Sequence, residues 1–210
     1  MQHSRQDRIV IKAAVGGLSL AALDCYLADM RAWVLGNCRV ALAAGTASGR
    51  IGEKPGAMLD ALIAAGGTAT GDLDRFLRYD ATAPHVALAR QCGFSGVATA
   101  ILVLSAAPQL WGDFAQLYKM IGFTGRAIVE ERLLAALLNT DRATIAAEID
   151  PGGPLAVTGV CKLGPGTRPN VPLIVHPLVV RRLAGEKFYD VYSPHGLGGD
   201  HRAARSDARR

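Results

Sequence analysis

Apolar residues recur at three- and four-residue steps in several stretches of the chain. Leu20, Leu23, Leu27, Met30 and Val34 fall on one helical face, and Met58, Leu59, Leu62 and Ile63 on another. Val129, Leu133, Ala136 and Leu137 mark a third face, with Glu130 and Glu131 expected in solvent. Ser19 is a natural N-cap for the first helix, Gly36-Asn37 reads as its stop, and Gly66-Gly67 ends the second. Shorter helices are expected at Val86 to Gln91, from Pro108 to Met120, and at Val179 to Ala184. Between them lie short, unbroken apolar runs: Ile9 to Val15, Cys38 to Ala43 and Ala98 to Leu104. Runs of this length read as strands buried on both faces of a parallel sheet. Leu155 to Val160, Pro172 to Val175 and Tyr189 to Tyr192 are further strand candidates, and Thr144 to Ala147 is a weaker one. Gly45 to Gly56, Thr68 to Pro84 and Gly164 to Pro172 read as loops, and Asp150 to Pro154 as a turn. Strands alternating with helices predict an α/β fold: a three-layer α/β/α sandwich around an open, mainly parallel sheet.

Composition refines that picture. The 210 residues suit one domain, here residues 1–199, followed by a basic tail at 200–210 expected to be disordered. Half the residues are hydrophobic and mean hydropathy is +0.21, which points to apolar surface shared between subunits. The net charge of +5 owes much to Arg202, Arg205, Arg209 and Arg210, so it does not describe a nucleic-acid-binding face. Cys25, Cys38, Cys92 and Cys161 are scattered without a C-x-x-C pair, which argues against zinc and for a reducing compartment. Ala13 to Leu27 is interrupted by Gly16-Gly17, Ser19 and Asp24, so no membrane span is expected there, and the cytoplasm is the expected location.

Several segments could carry chemistry. Val15-Gly16-Gly17-Leu18-Ser19 follows an expected strand and opens a helix, where backbone N–H groups can hold a phosphate. Gly45-Thr46-Ala47-Ser48 follows the second expected strand, and Thr46 and Ser48 offer hydroxyls. Ser105-Ala106-Ala107-Pro108-Gln109 follows the third; its small residues would let a planar ligand approach, and Gln109 could hydrogen-bond it. His85, after Pro84, could bind a carboxylate or move a proton, although on spacing alone a surface histidine at a helix start explains it better. His176 beside Pro177 has no supporting context, and Tyr118-Lys119 could be an acid–base pair or plain core and surface residues. No metal site is expected.

In order and spacing, these segments resemble the homo-oligomeric flavin-containing cysteine decarboxylases, over about Arg8 to Asp200. Val15 to Ala22 is similar to the family's Val-Thr-Gly-Ser-Ile-Ala-Ala start, and Val40 to Ile51 to its second strand and loop. His85-Val86-Ala87-Leu88-Ala89 resembles the His-Ile-x-Leu-Ala that carries the active-site histidine, and Ser105 to Leu110 stands where the family contacts FMN. Leu133 to Thr140 and His176 to Leu183 resemble later helices. Gly17 and Gln109 replace the family's Ser and Asn, and its Pro-x-Met-Asn-x-x-Met-Trp segment has no clear copy.

The resemblance implies a flavodoxin- or Rossmann-like flavoprotein domain assembled as a homotrimer or dodecamer. It implies FMN-dependent oxidative decarboxylation of a C-terminal cysteine in a precursor peptide, during peptide natural product biosynthesis. His85 would be catalytic, and Gly16, Gly17, Ser19, Thr46, Ser48, Ser105 and Gln109 would hold FMN. The altered motifs leave a second reading, a non-catalytic flavoprotein-like partner subunit that binds peptide or completes another enzyme. A third is an unrelated α/β nucleotide-binding module. Neither nucleic acid nor membrane is an expected partner.

Overall fold

A computed structural model describes residues 20–47, 54–66, 79, 81–121, 129–168 and 171–186. Helices dominate them. In chain order they are α1 (Leu20–Ala47), α2 (Lys54–Gly66), α3 (Pro84–Cys92), α4 (Gly96–Leu110), α5 (Gly112–Ile121), α6 (Glu131–Leu137), α7 (Arg142–Ile149) and α8 (Pro154–Val157). Two short strands, β1 (Cys161–Leu163) and β2 (Leu173–Val175), precede α9 (Pro177–Leu183). The sheet among the described residues is this single antiparallel pair, with Cys161 opposite Val175, Lys162 opposite Ile174 and Leu163 opposite Leu173.

The expected three-layer α/β/α sandwich with an open parallel sheet is therefore incorrect. Cys38 to Ala43 lies inside α1, Ala98 to Leu104 inside α4, and Thr144 to Ala147 inside α7. Leu155 to Val157 belongs to the short α8, and the strand begins only at Cys161. Pro172 to Val175 is close to the observed β2, and the expected turn at Asp150 to Pro154 and helix near Val179 are present. Ile9 to Val15 and Tyr189 to Tyr192, with the tail at 200–210, lie outside the described residues.

The core is built around α4. Every residue from Ala98 to Ala107 is buried, so this helix has no solvent face along its central turns. A helix apolar all round must be enclosed by other elements. Here α1, α3, α5, α7, α8, α9 and β2 all pack against it. Ser95 starts it, its hydroxyl accepting from the Ala98 N–H at 2.9 Å. Pro108 lies inside its last turns and has no N–H to give the Leu104 carbonyl four residues back. The Tyr118 hydroxyl of α5 fills that role, donating to the Leu104 oxygen at 3.0 Å with its ring buried.

Other contacts fix the shell. Arg31 of α1 pairs with Asp113 of α5 at 2.8 Å and lies 5.4 Å from the Phe114 ring centroid. The Leu173 N–H donates to the Val129 oxygen at 2.9 Å, which joins β2 to the start of α6. Gly153 opens α8 where any Cβ would come within 2.7 Å of the Glu148 carbonyl oxygen, so only glycine fits. Among the described residues no single helix is long and apolar enough to cross a membrane; α4 and α5 reach that composition only as a pair bent by 118°.

Burial raises the pKa values of several groups in this core. It holds the Tyr26 and Tyr118 hydroxyls and the Cys38 thiol above their usual range, and pushes Cys161 up to about 12. Each raised value means that the unfolded chain ionises first. Stability is then fully present below the ordinary thiol and phenol pKa values, about 8.5 and 10, and is lost as pH rises above them. Urea midpoints should hold steady up to about pH 8 and fall progressively above about pH 9; a midpoint still flat at about pH 11 would contradict this.

The Tyr118–Leu104 bond makes a second prediction. Tyr118→Phe should cost about 1–3 kcal/mol, because it strands a buried carbonyl. In a Pro108→Ala background the restored Ala N–H can serve Leu104, so the same substitution should cost clearly less. Equal costs in both backgrounds, measured by urea unfolding, would disprove the substitution of one donor for the other.

Candidate functional site

Helix α3 begins with Pro84 at its first position, where a missing N–H costs nothing, after an extended Ala83. It ends at Gly93, whose φ of 69° is the left-handed conformation that closes helices. Phe94 and Ser95 then connect directly to α4. The Ser95 hydroxyl also donates to Glu148 of α7 at 2.6 Å, so the corner between α3 and α4 is pinned from a third helix.

His85 lies on the inner side of this corner and is fully buried. Its ring stacks on Tyr26 of α1, with centroids 5.5 Å apart and planes inclined by 11°. Tyr79 meets it edge-on at 5.8 Å and meets Tyr26 edge-on at 5.7 Å. The Tyr79 hydroxyl donates to the Asp29 carboxylate on α1. Three rings thus join α1 to the start of α3. The Tyr26 hydroxyl is raised chiefly by burial, which the His85 backbone hydrogen bond partly offsets and Tyr79 reinforces. The histidine is therefore neither a surface residue nor an open one: its ring is shielded by the residues that hold it.

A cleft of about 430 Å³ opens on the outer side of the same corner. His85 forms part of its floor, Val86, Ala89 and Phe94 give apolar walls, and Gly93, Gly96 and Thr99 complete the lining with Arg90. The Thr99 hydroxyl is already committed to the Ser95 carbonyl at 2.8 Å. Arg90 is exposed in the last turn of α3, where the helix dipole favours a cation. Among the described residues it has no carboxylate partner. Arg31, Arg142 and Arg181, by contrast, each pair with a carboxylate, and Arg168 with two.

The residues expected to hold a flavin are distributed differently. Gly16, Gly17, Ser19 and Ser48 lie outside the described residues. Thr46 is exposed near the end of α1, not in a loop after a strand. Ser105 is buried in the middle of α4, and its hydroxyl has no hydrogen-bond partner among the described residues. Gln109 is exposed one turn later. Backbone N–H groups inside a helix are spent on the helix's own bonds and cannot cradle a phosphate. Thr46, Ser105 and Gln109 therefore do not form the loop cradle expected for FMN.

Ser105 also stands six residues after Thr99, about 9 Å further along the axis and on another face, so α4 does not bring it to the cleft. His176 caps α9, its Nδ1 accepting from the Leu178 N–H at 3.2 Å. Tyr118 is a core residue bonded to backbone, and Lys119 is exposed beside it.

Glu130 and Glu131, expected in solvent, are buried instead. Glu131 faces Arg142 at 3.6 Å and Arg168 at 3.9 Å, and Arg168 reaches Asp150 at 3.2 Å. Among the described residues no group of three or more His, Cys, Asp or Glu side chains could hold a metal ion. Tyr26, Tyr79, Arg90, Phe94 and Thr99 were not singled out by sequence. Val86, Ala89 and Arg90 do share one face of a short helix at three- and four-residue steps, a weak signal at best.

The chain matches no family model, no curated protein and no solved structure. The part His85 plays is testable through folding. Removing its ring leaves a cavity between Tyr26 and Tyr79, so His85→Ala should cost about 2–4 kcal/mol in urea unfolding. Tyr26→Phe keeps the ring and removes the hydroxyl's 3.4 Å bond to the Met30 sulfur and its hydrogen bond with the His85 backbone, and should cost about 1–2 kcal/mol. A His85→Ala cost near zero would place the ring outside the core.

Proposed function

We propose that this chain is a non-catalytic binding module, a partner subunit that holds a short peptide segment of another protein in the cleft at the α3–α4 corner. The observation that carries the reading is the make-up of that cleft: apolar walls from Val86, Ala89 and Phe94, with a single cation, Arg90, in the lining. Its volume of about 430 Å³ is towards the small end of ligand pockets, which run from about 300 to 1,000 Å³. It has room for one or two side chains of a peptide.

The position of His85 supports the same reading. This residue is fully buried, with its ring stacked on Tyr26 and edge-on to Tyr79, which is the packing of a structural residue. Its contribution is to hold α3 against α1, and so to keep the cleft wall in place. Flavin-dependent decarboxylation, implied by the resemblance, depends on strand-end loops, whereas Thr46, Ser105 and Gln109 stand within helices.

Selection of displayed random peptides on the full chain tests the proposal, with counter-selection on Ala89→Trp, which fills the cleft. Peptides that bind the parent at micromolar concentration and fail to bind the variant are expected. Peptides that bind both equally would remove the cleft from the reading. A companion measurement is the absorbance of the purified chain after FMN addition and gel filtration: no retained flavin is expected, and retention would return the decarboxylase reading.

A further inference from the structure

If the cleft holds a peptide, as proposed, the charge pattern around it specifies which kind, and that specificity rests on the proposed function. The walls of the cleft select an apolar group, but apolar contact alone discriminates weakly between side chains. Arg90 adds a directional element. Arg90 lines the cleft, is exposed, and has no carboxylate partner among the described residues. A planar guanidinium at the edge of an apolar trough matches a carboxylate next to an apolar side chain, because it can give two parallel hydrogen bonds.

One negative group stands nearby and works against such a ligand. Glu148 reaches the corner from α7 and accepts from the Ser95 hydroxyl at 2.6 Å. Ser95 sits between Phe94 and Gly96, both of which line the cleft. Glu148 thus sets a repulsive background against which Arg90 must act, and removing its charge should strengthen the binding of an acid. The geometry points to a partner peptide in which one large aliphatic or aromatic residue is followed by an aspartate or glutamate: the apolar side chain enters between Val86, Ala89 and Phe94, and the carboxylate meets Arg90.

The test uses the full chain, labelled with 15N and titrated with end-capped pentapeptides Gly-X-Z-Gly-Gly. X is Leu, Phe or Met, and Z is Asp or Glu in one set and Asn or Gln in the other. The acidic set should bind about two- to fivefold more tightly than the amide set, the scale of an exposed ion pair. Arg90→Gln should reduce that ratio to about one by weakening the acidic set, and Glu148→Gln should raise it. The ratio should also shrink as salt is added.

Equal binding of the two sets, or a ratio unchanged by Arg90→Gln, would overturn the charge assignment and leave the cleft reading standing. Loss of neither set in Ala89→Trp, or no binding of any peptide, would overturn the cleft reading itself. Backbone resonances dispersed as in the parent show that each variant is folded.

Discussion

Helix α4 must be enclosed on every side, and the rest of the fold follows from that requirement. Ten consecutive buried positions, Ala98 to Ala107, leave no face for water. Burying apolar area contributes roughly 25 cal/mol per Å², so an uncovered flank on this helix would forfeit several kcal/mol. The neighbouring helices supply the cover, and the way the chain leaves α4 determines where one of them goes. Pro108 weakens the last turns, and the chain bends by 118° into α5. That bend returns Tyr118 to the Leu104 carbonyl that the proline left unbonded. The defect in one helix and the docking of the next are the same event.

Polar contacts at the periphery act differently. Glu131 is buried at the start of α6, with arginines from α7 and from the segment after β1 around it at 3.6 and 3.9 Å. Those distances exceed a good hydrogen bond, and both arginines are about half exposed, so each pair contributes under about 1 kcal/mol. Their role is compensation: without them a buried carboxylate would face no positive charge. Because Arg168 also reaches Asp150, the cluster links α6, α7 and the segment that joins the two strands. The hairpin is thereby positioned by charge on one side and by the Leu173–Val129 backbone bond on the other.

Much of the helical content was legible, and the fold class was not, for one physical reason. Helices α2, α3 and α9 each keep a polar face, so their periodicity shows in the sequence. Ala98 to Leu104 has none, and a short unbroken apolar run looks the same whether it becomes a buried strand or a buried helix. Length and composition held the missing information. The run continues through Ser105, Ala106 and Ala107, it is rich in Ala and Leu, and Ser95 caps it. Gly36 misled in a related way. It reads as a stop, yet α1 passes through it. A mid-helix glycine costs about 1 kcal/mol relative to alanine, and burial of Trp33, Val34, Leu35, Cys38, Ala41 and Leu42 around it outweighs that. Glu130 and Glu131 show the reverse error: charge suggested solvent, and tertiary partners made burial tolerable.

The candidate site was half visible for a comparable reason. His85 stood out in the sequence by residue type, but its surroundings come from Tyr26, far earlier in the chain, and from Tyr79. No local pattern encodes such a contact. The cleft itself depends on a corner. Gly93 ends α3 in the left-handed conformation, only Phe94 and Ser95 intervene, and α4 must then turn into the core because its whole length is apolar. Among the described residues the outer angle of that corner stays open as the cleft, with the last turn of α3 along one edge. Arg90 occupies that turn because the helix dipole favours a cation there. A dipole attracts charge without consuming its hydrogen bonds, unlike the carboxylates that bind Arg31 and Arg181. The same geometry that closes the helix therefore leaves an arginine beside an apolar trough with no carboxylate partner among the described residues, a combination that the demands of folding alone do not require.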